Sequence, residues 1–404
     1  MSWRKNLFAV TASTFIGFTG FTLVMPFLPL YFQQLGVQDV GEIALWSGLS
    51  LGVTPAITAF MSPIWGRLAD RFGRKIMVER ALVSFVIVMS AMAFVTRAWH
   101  VFALRAIQGL FAGYGALALT MATDVAPRDR VAFAIGTVQT AQRIGPALGP
   151  VIGGTVAQIV GLRRAFFVTA AFYLAALILV FVTYHEPPIH PTEHKRDDSR
   201  ITFRNVLAFE NFIVLMVVVF GLQFVDRSFG PVLPLYISEL GTSFDAVPIL
   251  SGVLFSISAG CGALGHHMCG ALLKRMTTRA VIAGSVTVAA IGISVYMFAG
   301  STGLLFVGTP IFGIALGVAT TAAYTSAAAV FPPTARGAGF GLLSTGSLAG
   351  LAISPVVCGL LGTLSLRAVF VLDTIALVCL AILVGRLMVI RPSTPTAPPV
   401  AEEV

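Results

Sequence analysis

Three groups of side chains in this sequence have types and spacings that could do chemistry, and each sits in or beside a long apolar run. Within QFVDRSFGPVLPLY, residues 223–236, Asp226 and Arg227 interrupt an otherwise apolar stretch. A carboxylate there is pulled two ways: desolvation favours the neutral acid, and a nearby guanidinium favours the anion. A group balanced between the two can take up and release a proton; the plainer alternative is a fixed salt bridge between the two halves of the chain. Adjacent residues on a helix do not face each other, so separate partners are expected for the pair. Arg105 lies early in the second run, VFALRAIQGLFAGYGA, residues 101–116. An arginine near hydrocarbon costs several kcal/mol unless it faces a cavity or a partner. Arg105, Gly109 and Gly113 are expected to share one helix face, where small residues admit a neighbouring helix; the plainer reading is a packing seam with a snorkelling arginine. The third group, GRLADRFGRK at 66–75, places Arg67, Asp70, Arg71, Arg74 and Lys75 in one decapeptide of a chain that is 11% charged overall.

Other polar groups fall within apolar runs: Gln108, Gln139, Gln142, Arg143 and Gln223. Amides facing lipid are costly, so some of these are expected to line a central cavity. Phe21, Met25 and Pro26, which occupy the matching stretch of the first run, join them as candidate lining residues. Glu79 is expected to pair with Lys75 at four-residue spacing, and Asp373 to tie two helices together. GLSLG at 48–52 has the G-x-S-x-G form of a hydrolase elbow but lies in an apolar helix with no strand before it. Cys261, His266, His267 and Cys269 fit no common zinc spacing and are read as packing near a helix end. No metal site, cofactor or catalytic set is expected, and no G-x-x-x-x-G-K-[ST] suggests ATP.

These groups need elements to hold them. The chain has 404 residues, 57% of them hydrophobic, with a mean hydropathy of +0.91, far too apolar to cover a soluble protein of that size. Runs of about 20 apolar residues span a bilayer as helices, and backbone in hydrocarbon must pair internally. The runs are too long and too unbroken for barrel strands. Twelve spans are read, roughly 7–32, 43–65, 76–96, 99–123, 131–159, 164–184, 207–237, 246–272, 280–299, 302–328, 336–363 and 366–388. The opening MSWRKNLFAV looks like a signal peptide, but the run is too long and lacks a cleavage site, so it is read as an uncleaved first span. The net charge of +9 reports topology rather than nucleic-acid binding. With the N-terminus inside, most Lys and Arg fall on the cytoplasmic side, and only Arg97, Arg163, Arg164 and Arg367 fall outside. The four cysteines lie within spans and imply no disulfide framework.

The chain also repeats. MPFLPLYFQQLG at 25–36 returns as GPVLPLYISELG at 230–241, and Gly109, Gly113, Pro127, Pro150 and Gly154 return as Gly313, Gly317, Pro332, Pro355 and Gly359. An all-α membrane protein of two pseudo-symmetric six-helix bundles is therefore expected: an N-terminal bundle at 1–184, a Pro- and charge-rich cytoplasmic linker at 185–205, a C-terminal bundle at 206–390, and a disordered tail at 391–404.

The decapeptide at 66–75 resembles the G-x-L-A-D-R-x-G-R-K loop between helices two and three of the major facilitator superfamily, and fits every fixed position. Arg105 and Gly109 resemble that family's R-x-x-x-G pattern in helix four. Gly145, Gly149, Pro150, Gly153 and Gly154, in GPALGPVIGG, resemble the helix-five run of its antiporter branches. Taken together the chain is similar to the twelve-helix drug:proton antiporter branch. The resemblance implies a cytoplasmic gate of Gly66, Asp70, Arg71, Gly73 and Arg74, with Asp70 set against the backbone around Ala335–Gly339 and the two glycines permitting the turn. It implies proton coupling at Arg105, to which the reading of the residues adds Asp226 and Arg227; Pro150, lacking an N–H, permits a bend. It further implies alternating access, a small-molecule substrate, protons and membrane lipid as partners, a monomer, and a bacterial inner-membrane location with both termini cytoplasmic. An exporter or facilitator of one metabolite, such as a sugar, shares the fold. The second copy departs from the loop pattern: GALLKRMTTR at 270–279 has Lys274 where Asp70 aligns, so any latch is asymmetric.

Overall fold

A computed structural model describes residues 3–127, 130–186, 211–330 and 336–389, excepting the side chains of Pro63, Asp70, Ala116, Ala132, Arg336, Ala338 and Phe340. The described residues form fourteen helices and no strand. These are α1 (Trp3–Leu23), α2 (Leu28–Gln34), α3 (Val40–Phe72), α4 (Arg74–Met92), α5 (Ala98–Phe111), α6 (Tyr114–Val125), α7 (Val131–Val160) and α8 (Leu162–Thr183), then α9 (Phe212–Glu239), α10 (Val247–Leu273), α11 (Thr278–Met297), α12 (Thr302–Val330), α13 (Arg336–Gly362) and α14 (Leu366–Leu387). By length and composition, helical segments at nine places among the described residues are apolar enough to cross a membrane.

Two expected spans are each divided, and the residues explain both breaks. Between α1 and α2, Pro26 offers no N–H, and the Met25 N–H donates to the Thr22 carbonyl at 3.1 Å in a tightened turn. Between α5 and α6, Gly113 adopts φ +121°, a conformation that favours glycine. Carbonyls freed at the end of α5 find partners on other helices. Trp65 Nε1 donates to Leu110 O at 2.7 Å, and Arg80 Nη2 donates to Phe111 O at 3.0 Å with its guanidinium 3.3 Å from the centre of the Trp65 ring. The expectation of one continuous face for Arg105, Gly109 and Gly113 is therefore corrected: Gly113 is the hinge residue between two helices.

The repeat is visible in the bonding. Tyr31 donates to Met92 O at 2.6 Å and packs 4.8 Å from the Phe166 ring; Tyr236 donates to Tyr296 O at 2.7 Å and packs 5.0 Å from Phe370. Asn6 exchanges two hydrogen bonds with the His185 backbone, and Asn211 exchanges two with Val389. The first two residues of the expected linker, His185 and Glu186, are thus tied to the N-terminal helices; the rest of it and the tail lie outside the described residues.

The α1–α8 and α9–α14 sets meet along two seams, α3 with α13 and α7 with α10. Glycines make both. A Cβ on Gly48 would strike the Pro355 carbonyl, and one on Gly359 the Ala44 carbonyl; on the other seam Gly252 faces the Pro150 carbonyl and Gly154 the Pro248 carbonyl. GLSLG is part of this seam, with Gly48 and Gly52 against α13.

Candidate functional site

Between the seams lie two small cavities. One, of about 90 Å³, is bounded by Thr22, Met25, Pro150, Asp226, Arg227 and Tyr296 among others. The second, of about 40 Å³, includes Phe21, Met25, Leu51, Arg105, Arg227 and Pro355. Met25 and Arg227 border both and form the partition. Met25 is there because the α1–α2 break turns the chain at that point, and Arg227 reaches the space from α9, which is continuous over Phe212–Glu239.

Asp226 and Arg227 do not take separate partners. Arg227 Nε lies 3.2 Å from Asp226 Oδ2, although the N–H is not aimed for a hydrogen bond. Successive Cβ atoms diverge on a helix, but an arginine stem is long enough to fold back along the surface. Both side chains remain about 30% exposed, so the pair faces the cavity rather than a packed interior.

Arg105 is 3% exposed and Nη1 donates to Gln108 Oε1 at 3.0 Å. Its own carbonyl accepts from Thr54 at 2.9 Å, and Gly109 lets α3 approach at Thr54 and Ile57. Its Nε, and the Gln108 Nε2, have no protein partner. It lines the smaller cavity instead of snorkelling.

The expected lining set divides. Phe21 and Met25 border cavities. Gln108 serves Arg105. Gln142 donates to Gly115 O at 2.9 Å, tying α7 to α6, and Gln223 donates to Ser347 at 2.9 Å, tying α9 to α13. Gln139 is exposed and Pro26 is buried at the break. Arg143 Nη1 contacts His266 Nε2 at 3.1 Å across the α7–α10 seam, and His266 Nδ1 meets the Thr321 hydroxyl at 2.6 Å. His266 is therefore part of a cross-seam contact well inside α10, not packing near a helix end.

The run at 145–154 works as a double contact. Gly145, Gly149 and Gly153 admit α1, while Gly154 and the Pro150 carbonyl face α10. The Val151 N–H, one residue after Pro150, donates to Ser256 on α10 at 3.2 Å.

At the 66–75 turn, Gly66 is corrected: it lies inside α3, with nothing within 4 Å of where its Cβ would be. Gly73 alone makes the turn, at φ +95°. The Glu186 carboxylate caps α4, accepting from the Arg74 N–H at 2.5 Å and the Lys75 N–H at 3.4 Å. The Arg74 guanidinium pairs with Asp124 at the end of α6, and Lys75 pairs with Glu79 at 3.8 Å, as the spacing predicts. Arg71 lies 5.3 Å from the Phe72 ring. The Asp70 side chain and Ala335 lie outside the described residues.

Asp373 ties two helices together, as expected. It is fully buried on α14, bonded to Ser228 of α9. A charged residue in a run as apolar as VFVLDTIALVCL was the available signal.

Comparison with known proteins agrees with this architecture. Residues 10–280 and 215–404 match the Major Facilitator Superfamily. The chain is 32% identical over 300 residues to multidrug resistance protein MdtG of Proteus mirabilis, covering 73% of this chain and 72% of that protein. It is 34% identical over 280 residues to MdtG of Salmonella dublin, covering 68% of each. It is 34% identical over 261 residues to the multi-drug resistance efflux pump PmrA homolog of Lactococcus lactis subsp. lactis, covering 63% of each. Among solved structures, a bacterial homolog of the human lysosomal transporter Spinster superposes with a TM-score of 0.79 at 18% identity, over 94% of this chain and 95% of that one. The nucleoside transporter NupG superposes with a TM-score of 0.74 at 14% identity, over 94% and 99%.

Proposed function

The chain belongs to the Major Facilitator Superfamily, and from that premise we propose that it is a proton-coupled secondary transporter exporting amphipathic drugs or related small molecules. The observation that carries the reading is the Asp226–Arg227 pair facing the cavity between the two sets of helices, with buried Arg105 on the adjoining cavity. Relatives whose names describe multidrug resistance support the substrate class.

In this reading two six-helix bundles, 1–184 and 206–390, cross an inner membrane twelve times as a monomer, with both termini in the cytoplasm. α1 with α2, and α5 with α6, each make one crossing. The central space, at about 90 Å³, is smaller than the roughly 300–1,000 Å³ of sites that enclose a drug-sized ligand. Substrate therefore enters by parting the bundles at one end while the glycine–proline seams act as pivots, and the 66–75 turn gates the cytoplasmic end. A proton falling through one pH unit supplies about 1.4 kcal/mol, and each 100 mV about 2.3 kcal/mol. One proton can thus sustain roughly a hundredfold to thousandfold gradient of a neutral compound.

Proteoliposomes with an imposed pH gradient test the reading. A lipophilic cation such as ethidium should move against its gradient only while the pH difference lasts. Movement of sugars and not lipophilic cations, with no response to pH, would reject it in favour of a metabolite facilitator.

A further inference from the structure

Asp373 sits in the middle of α14, fully buried, and its protonation follows from counting hydrogens. Ser228 Oγ on α9 lies 2.5 Å from Asp373 Oδ2 and 2.8 Å from the Val225 carbonyl oxygen. A serine hydroxyl has one hydrogen to donate. If Asp373 were ionised, Ser228 would have to serve two acceptors with that one hydrogen, and one contact would set lone pair against lone pair. If Asp373 is a neutral acid, its O–H donates to Ser228 Oγ and Ser228 donates to Val225 O. Both contacts are then hydrogen bonds.

The surroundings agree. Asp373 Oδ1 has no hydrogen-bond partner, and no described Lys, Arg or His forms an ion pair with it. A buried carboxylate lacking both a cation and a full set of donors is costly; a neutral acid is far less so. The groups that face it from each packed element are few. From α13 comes the Cys358 thiol, 4.0 Å from the Ser354 hydroxyl. From α11 comes Tyr296, beside Phe370 on α14, with its hydroxyl engaged by Thr309 at 2.5 Å. On α9 itself, Asp226 and Arg227 are turned toward each other and the cavity.

We propose that Asp373 is an occluded proton-binding site, loaded in this conformation and emptied when α9 shifts against α14. The proposal rests on the proton-coupled reading above and gives it a second site, distinct from the Asp226–Arg227 pair. Ser228 follows Arg227 directly, and Arg227 partitions the two cavities. A rotation of α9 that carries Arg227 out of the cavities therefore also carries Ser228 away from Asp373. On opening, the Oδ2–H bond breaks, its electron pair stays on the carboxylate, and the proton passes to water admitted between α9 and α14.

The test uses the full chain in lipid. Infrared spectra should show a carboxylic acid C=O band that is absent in Asp373→Asn and present in Asp226→Asn. A band that disappears only in Asp226→Asn, or a wild-type spectrum with no band that Asp373→Asn removes, overturns the assignment. In proteoliposomes, Asp373→Asn should run equal-pH counterflow yet fail to accumulate substrate beyond a ratio of one under a pH gradient; wild-type accumulation by this variant also overturns it. If the variant fails to fold, Ser228→Ala keeps the acid but removes its acceptor and should shift the same band, and an unshifted band counts against the proposal. A wild type indifferent to the pH gradient would instead refute the proton-coupled reading, and the infrared band would still decide whether Asp373 holds its proton.

Discussion

Gly48 meets the Pro355 carbonyl on one seam, and Gly252 meets the Pro150 carbonyl on the other, and the Tyr31 and Tyr236 contacts also match; the buried charged groups inside the two helix sets do not. In the register that aligns 66–75 with 270–279, Arg105 falls opposite Thr309 and Asp373 opposite Thr169. The N-terminal set buries a cation, and the C-terminal set buries an acid. Trp65 and Arg80, which hold the carbonyls freed by the Gly113 break, fall opposite Cys269 and Gly284, and there α12 runs unbroken through Gly317. A duplicated fold has kept its seams alike, where close backbone approach is a shared geometric demand, and let its buried ionisable groups diverge.

The comparison is most easily broken at the seams. Gly48→Val and Gly252→Val each drive a side chain into a backbone carbonyl, and overpacking of this kind costs about 1–3 kcal/mol or more. Both should abolish transport and broaden the size-exclusion profile to a similar degree; tolerance of one alone would show that the seams are not equivalent. The interior should respond unequally. Arg105→Met should lower gradient-driven transport at least about tenfold, or about 1.4 kcal/mol, while Thr309→Ser at the matching position, which keeps the hydroxyl that meets Tyr296, leaves the rate within about twofold.

Much of this was legible in the sequence, for definable reasons. Apolar runs about 20 residues long predict spanning helices because backbone in lipid has few alternatives, and the repeat of P-x-L-P-L-Y locates the duplication. The breaks were not legible. Pro26 divides α1 from α2, while Pro231 and Pro234 sit within continuous α9, so the same motif gives two outcomes according to packing. Gly113 has the sequence signature of a small packing residue, because the partners that make a break tolerable, Trp65 and Arg80, lie elsewhere in the chain. Side-chain partners were least legible. Residue order places Cβ atoms but not the reach of an arginine, so the Asp226–Arg227 pair, the Arg143–His266 contact and the covering of Asp373 by Ser228 emerge only in three dimensions.

Smaller effects sharpen the same contrast. Arg80→Met strands the Phe111 carbonyl and should destabilise the protein by about 1–3 kcal/mol, read as a lower thermal midpoint, whereas Gly284→Ala, with nothing within 4 Å of its Cβ position, should be neutral or stabilising. Asn6→Ala and Asn211→Ala remove matching two-bond clasps and, at about 0.5–1.5 kcal/mol per bond, should each cost about 1–3 kcal/mol. Similar values would show that the clasps are equivalent; a large difference would place the N-terminal one under the added hold of Glu186 on α4.

In the proposed mechanism the two helix sets rock about glycine–proline seams. Spin labels on cysteines at exposed positions of a cysteine-depleted chain measure it directly, with one pair at Gln38 and Leu364 and another at Phe72 and Met276. The account predicts that a change of pH or addition of substrate lengthens one distance while shortening the other. Two distances that stay fixed, or that move in the same direction, would contradict it.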